Sequence, residues 1–362
     1  MKKNLIASLI LGVLISAAAL YLAFRKVPFA DLVIYLVKIN YFWILPSIIV
    51  VIISFILRAL RWRIILKSTR NVSFRGVFHP MMIGFMLNCI LPGRVGEVAR
   101  PILLQKKEDI PFSTGLATVV TERVFDVGFL LILFAAVVLT VHIDPEFDIV
   151  FGSYHLNRET LMIMGGRMLM LCMVLIVGIV MVFLSATRKI INGIIMGIPS
   201  LFFFAGASCK DTIQQKVCLP LVRFVENFAS GFTLVHNMKN LCICTGLSII
   251  IWGLSAFSYY IMSLGCPGIG LSFTKLTAVM IIICFFIALP SVPGFWGVWE
   301  AGGVFALSLF GISQTDAAGF TLVNHAVQMF PVIIIGLMSA LVTGVNIRQV
   351  SYEEREFNGS SK

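Results

Sequence analysis

Two apolar runs in this chain are too short to cross a bilayer, and each ends in a proline–glycine break followed by a charged helix start. The first, 77–91, leads into Pro92-Gly93-Arg94-Val95-Gly96-Glu97, with Arg100 one turn further on. The second, 275–290, passes through Pro293-Gly294-Phe295-Trp296-Gly297 to Glu300, inside another short run over 298–311. About 20 helical residues are needed to span roughly 30 Å of hydrocarbon, so none of these arms crosses. A hairpin entering and leaving on one side fits such a run if its broken backbone is buried in protein or lines a wet cavity.

The rest of the chain sets the frame for these hairpins. With 59% hydrophobic and 12% charged residues, 362 residues cannot hide their apolar surface in water. Full-length runs lie near 5–24, 42–60, 115–141, 161–184, 241–264 and 317–345. The fold class read from this pattern is an all-α polytopic membrane protein with about six full spans and two re-entrant hairpins. The first run follows Met1-Lys2-Lys3 but is longer than the roughly 7–15 residues of a signal-peptide core, so it reads as an uncleaved span.

Charge gives the orientation. Lys and Arg crowd 61–107 and 185–240, whereas 142–160 and 265–316 hold only Arg158 and Lys275. The positive-inside rule then puts both termini in the cytoplasm, in the cytoplasmic membrane. The first hairpin enters from the cytoplasm and the second from outside, an oppositely oriented pair. Most of the net charge of +11 is this topological bias. Arg58, Arg61 and Arg63, at the end of the second span, read as snorkelling anchors, and Arg167 reads as an outer-leaflet anchor.

The likeness of the halves extends downstream. About 25 residues after Glu97 comes Thr121-Glu122-Arg123-Val124-Phe125-Asp126, and about 24 after Glu300 comes Val323-Asn324-His325-Ala326-Val327-Gln328. Polar positions at i, i+1 and i+4 match one for one, on an arc of about 100°. The chain reads as one domain, 1–345, with repeat A over 42–141, an amphipathic cytoplasmic linker over 186–240, repeat B over 241–345 and a tail over 346–362. Inverted repeats around broken helices mark translocation sites in transporters.

The chemistry concentrates in those motifs. Arg94, Glu97 and Arg100 at i, i+3 and i+6 are expected within about 120° of one another, able to hold an anion between guanidinium forks. The alternative is a structural network in which Glu97 neutralises Arg94, Arg100 or Arg123. Arg94, Arg100 and Arg123 against Glu97, Glu122 and Asp126 would balance to neutrality, and Glu97 or Glu300 could carry a coupling proton. Trp296 and Trp299 beside Glu300 read either as interfacial anchors or as a lipid gate. Translocation candidates are therefore Arg94, Glu97, Arg100, Glu122, Arg123, Asp126, Trp296, Glu300, Asn324, His325 and Gln328. The hairpin breaks are Pro92, Gly93, Gly96, Pro293, Gly294 and Gly297.

Several classes are disfavoured. The eight cysteines form no CxxC pair, the five histidines have no metal-ligand spacing, and no GxxxxGK[ST] loop is present. Neither a cofactor nor a metal is expected, and basic residues flanking spans without a recognition module do not indicate nucleic acid.

In this order, the PGRVGEVAR, TERVFD and PSVPGFWGVWE runs resemble the flippase-like membrane family that also forms the transmembrane region of lysylphosphatidylglycerol synthases. The resemblance covers about residues 5–345. It implies a protein that moves or handles lipids, with Pro92, Gly93, Arg94, Gly96, Glu97, Arg100, Glu122, Arg123, Asp126, Pro293, Gly294, Gly297 and Glu300 at its motif positions. It does not imply aminoacyl transfer, which belongs to a soluble synthase domain. Members of the family often carry an arginine early in the final span, where this chain has His325. The expected function is a lipid flippase or transporter, passive or ion-coupled, for membrane lipids with anionic headgroups such as a phospholipid or a polyprenyl phosphate. Two other readings stay open: a non-transporting membrane partner of envelope-lipid biosynthetic enzymes, and a lipid transferase or phosphatase using Glu97, Glu122 or Asp126.

Overall fold

The computed structural model describes residues 2–67, 69–91, 94–140, 148–151, 154–157, 185–201, 211–230, 237–289 and 291–345, with isolated positions between 163 and 177. Pro92, Gly93, Arg167, most of 161–184 and the tail 346–362 lie outside the described residues.

The fold is helical and belongs to a multi-pass membrane protein. Helices α1 (Lys2–Phe24) and α2 (Phe29–Lys38) form a pair bent by 78°, with Pro28 at the N-cap of α2. A 3-10 turn, Tyr41–Trp43, opens α3 (Ile44–Leu66). Then come α4 (Phe74–Ile90), α5 (Val95–Glu108) and α6 (Phe112–Thr140). Between α6 and the next helix, β1 (Asp148–Phe151) pairs antiparallel with β2 (Tyr154–Asn157). This small ribbon is absent from the all-α expectation. Its Ile149, Val150, Phe151 and Tyr154 are β-favouring residues in a segment too short and polar for a helix to bury.

Two α-helices are described in the 186–240 stretch, α7 (Ser185–Leu201) and α8 (Leu219–Ser230), the second entered through a π-helical turn, Gln214–Cys218. Glu226 holds them together, accepting from Asn192 Nδ2 at 2.6 Å and lying 3.7 Å from Arg188. The second half is α9 (Met238–Leu264), α10 (Phe273–Phe286), α11 (Val298–Ser308) and α12 (Gln314–Thr343). Among the described residues three helices are long and apolar enough to cross a membrane, Tyr41–Leu66, Met238–Leu264 and Gln314–Thr343, or four if the bent pair is one span. Helix α6, at 29 residues, is long enough but carries three charged side chains in its middle.

The four short helices form the two hairpins. At 1.5 Å per residue, α4 reaches about 25 Å and α5, α10 and α11 about 17–21 Å, all short of the hydrocarbon thickness. Both first arms are entered through a serine cap: Ser73 Oγ accepts from Gly76 N, and Ser272 Oγ from Lys275 N. α4 packs on α5 and α10 on α11, while α3 runs along α9 and α12 along α4. The hairpins meet tip to tip. Arg94 Nη2 donates to the Ile287 carbonyl at 2.8 Å, and Gly294 lies so close to the Cys89 carbonyl that a Cβ there would meet it at 3.2 Å. Helix α1 seats against the second tip, where Val292 N donates to Ser16 Oγ at 3.1 Å.

Candidate functional site

Four arginines surround two carboxylates where α3, α5, α6 and α9 converge. Glu122 is fully buried, accepting from Arg100 at 2.5 Å and Arg123 at 2.8 Å, with Arg61 at 3.7 Å. Asp126, one turn along α6, takes Arg61 at 2.7 Å, Arg123 at 3.3 Å and Arg58 at 3.6 Å. Arg61 also donates to Ser248 Oγ on α9 at 2.8 Å. The guanidinium of Arg100 lies 4.0 Å over the Trp62 ring, and Trp62 Nε1 donates to Thr118 Oγ1 at 3.0 Å. Four positive and two negative side chains leave this cluster with a net charge of +2. The buried Nε–H groups of Arg61 and Arg100 have no protein partner.

This differs from the neutral six-ion cluster expected above. Arg58 and Arg61 are not surface anchors: Arg61 is 0% exposed and both face Asp126. Helix α3 runs on to Leu66, six residues past the end read from hydropathy, so Arg61 as well as Arg58 lies within it. Arg63 does leave the cluster, donating from Nε to the Val72 carbonyl.

Arg94 and Glu97 do not join Arg100. Arg94 is the N-cap of α5 in the left-handed region (φ 55), exposed, and turned to the second hairpin. Because it precedes the helix, the i, i+3, i+6 rule does not apply to it. Glu97 is half-buried in the first turn; among the described residues no ion pair within 4.0 Å joins it to Arg94, Arg100 or Arg123, although its charge acts on Arg123 from further off. Gly96 is not part of the break. It lies inside α5, where a Cβ would strike the Gly84 carbonyl, and its N–H donates to Asn88 Oδ1 at 2.8 Å. That close approach lays the Arg100 stem across Gly84 and aims its guanidinium at Glu122.

The second hairpin builds a different centre. Glu300 is buried; its Oε2 accepts from Gly297 N at 2.7 Å and its Oε1 lies 2.6 Å from His325 Nδ1. His325 Nε2 lies 2.8 Å from the Gly294 carbonyl. Trp299 stacks on the imidazole at 4.5 Å and 5°, and Trp296 tilts against it at 4.5 Å. The two tryptophans therefore sandwich a histidine. Gly294 (φ 72), Phe295 (φ 60) and Gly297 (φ 90) shape the break, and a Cβ on Gly297 would run into the Ser16 carbonyl.

Thr321, Asn324, His325 and Gln328 fall at i, i+3, i+4 and i+7, one face of α12. Gln328 Nε2 donates to Ser258 Oγ at 2.5 Å, but both amide atoms of the fully buried Asn324 and the Thr321 hydroxyl are unpartnered within the protein. Beside this face an apolar groove of about 590 Å³ runs between α3 and α12, from Tyr41 and Leu322 at one end to Ile52 and Ile335 at the other. Arg58 follows Ile52 by six residues, a rise of about 9 Å along α3.

Comparison with known proteins completes the picture. The profile of the lysylphosphatidylglycerol synthase TM region matches residues 9–336. A UPF0104 membrane protein of Methanothermobacter thermautotrophicus is 26% identical, over 93% of this chain and 93% of its own. Another, of Pyrococcus horikoshii, is 24% identical over 82% of this chain and 86% of its own. The glycosyltransferase AglD of Haloferax volcanii is 22% identical over 96% of this chain and 56% of its own length. No solved structure matches significantly.

Proposed function

Since the chain belongs to the family of the lysylphosphatidylglycerol synthase TM region, we propose that it translocates a lipid with an anionic, phosphate-bearing headgroup between leaflets. The observation that carries this reading is the net +2 charge gathered around the buried Glu122 and Asp126, with the Nε–H groups of Arg61, Arg100 and Arg123 left unpaired within the protein. A buried cationic surplus is costly unless an anion completes it, and ions inside a membrane domain face a pathway or a partner. Arginine forks suit phosphate oxygens. The apolar groove along α3 and α12 supplies a berth for the lipid chain, with Arg58 further along the same helix. In this reading the two hairpins form an inverted pair that exposes the headgroup site to each leaflet in turn. A relative named for glycosyl transfer supports sugar-bearing phospholipids among the cargoes.

The test is reconstitution into vesicles, following sided chemical quenching of headgroup-labelled phosphatidylglycerol and phosphatidylcholine. Wild-type protein is expected to move the anionic lipid at least tenfold faster, and Arg100→Gln to remove that advantage. Equal rates for both lipids, or none, would refute the reading.

A further inference from the structure

We propose that Glu300 and His325 form the coupling-ion site of this transporter and that the ion is a proton. The proposal rests on the lipid-transport reading and adds the ion to it. The Gly294 carbonyl can only accept, so His325 Nε2 carries a hydrogen at 2.8 Å from it. The 2.6 Å contact between Nδ1 and Glu300 Oε1 must then contain a second hydrogen, on nitrogen or on oxygen. With it the pair is neutral overall, either imidazolium with carboxylate or imidazole with carboxylic acid. Without it the one remaining imidazole hydrogen can serve the Gly294 carbonyl or the Glu300 carboxylate but not both, and one of the two contacts opens.

That proton controls backbone as well as side chains. Through Glu300 Oε2 the pair holds Gly297 N, and through His325 Nε2 it holds the Gly294 carbonyl, the two glycines of the hairpin break. The same tip lies against Cys89 of the first hairpin, and Arg94 reaches the Ile287 carbonyl beside it. Protonation therefore fastens the second tip in its meeting with the first. Loss of the proton frees the break.

Among the described residues no other ionisable side chain is bonded to the pair. The elements packed on the pair carry Asp31, Tyr35 and Lys38 on α2, Arg58, Arg61 and Arg63 on α3, Arg75, His79 and Cys89 on α4, Lys239, Cys242, Cys244, Tyr259 and Tyr260 on α9, Lys275 and Cys284 on α10 and Asp316 on α12. None of them is hydrogen-bonded or ion-paired to Glu300 or His325 among the described residues. Helix α1 brings Gly12 and Ser16, both uncharged, to the break. A metal cation is a poorer fit, because among the described residues no third His, Cys, Asp or Glu joins the pair.

The experiment is hydrogen exchange of peptides spanning 288–301 in the full-length protein in lipid, from pH 5.5 to 8.5, corrected for intrinsic rates. In the wild type, protection should fall about tenfold as pH rises through the release of the proton. Glu300→Gln should stay protected at every pH, because its amide can donate to a neutral Nδ1 while its oxygen accepts from Gly297 N. The same variant should lose the dependence of lipid movement on a pH gradient. A flat wild-type profile with lipid movement intact would overturn the proton site and leave the transport reading standing. A pH-dependent profile with no movement of any lipid would instead overturn the transport reading, and with it the coupling role. The wild-type profile decides alone should Glu300→Gln fail to fold.

Discussion

The two hairpins place a glutamate at the same position, the third residue of the second arm, and use it in opposite ways. Glu300 reaches back to its own N-cap and across to His325, so the second break is closed by one side-chain pair. Glu97 reaches neither; Asn88 satisfies the corresponding turn, and the charge of that half is carried by arginines from three helices. One half is a fixed cationic centre and the other a neutral, proton-bearing clasp. Similar sequence patterns thus yield a site suited to holding an anion and a site suited to changing state.

The sharpest break of this comparison lies at Glu122 and its counterpart Asn324. Glu122→Gln removes the carboxylate shared by Arg100 and Arg123 and leaves a buried net charge of +3. A loss of about 3–5 kcal/mol is expected, seen as a collapsed melting transition in detergent. Stability close to wild type would mean that the arginines are solvated rather than paired.

Gly96→Ala comes next. Its Cβ would enter the Gly84 carbonyl, so α4 and α5 must separate and Arg100 must shift from Glu122. Overpacking of this kind costs about 1–3 kcal/mol, and anionic-lipid transport should fall more than tenfold while pH-dependent protection of 288–301 persists. Loss of both together would show that the two halves are not separable.

Much of this was legible in the sequence. Ions inside apolar runs stand out, which is why Arg100, Glu122, Arg123, Asp126, Glu300 and His325 were nameable from their positions, as were the short arms and their breaks. Arg58 and Arg61 were not, because cations near the end of a span ordinarily snorkel. A signal was present: Arg61-Trp62 is followed by Arg63, Lys67 and Arg70, which already supply the interfacial anchors. Arg94 was misplaced for a backbone reason. Helical spacing presumes helical φ, and a left-handed residue turns its side chain away. The glycine contacts were illegible, since nothing local tells a packing glycine such as Gly96 from a hinge such as Gly294.

Asn324→Leu is expected to act in the opposite direction from Glu122→Gln. It removes two buried amide atoms that lack protein partners, so stability should be unchanged or rise by about 1 kcal/mol. Destabilisation by several kcal/mol would indicate that bound water or lipid satisfies the amide in the resting protein.

The smallest effect should come from Arg94→Gln, set against Arg100→Gln. Arg94 is exposed and makes one hydrogen bond, to the Ile287 carbonyl, whereas Arg100 is 2% exposed, bound to Glu122 and laid over Trp62. Exposed substitutions of this kind usually change stability by less than about 0.5 kcal/mol, and Gln at 94 can still donate, though over a shorter reach. Anionic-lipid transport should therefore fall less than about threefold in Arg94→Gln and more than tenfold in Arg100→Gln, both measured in the same vesicles. Equal losses would mean that the tip-to-tip contact, rather than the buried cation, limits the passage of the headgroup.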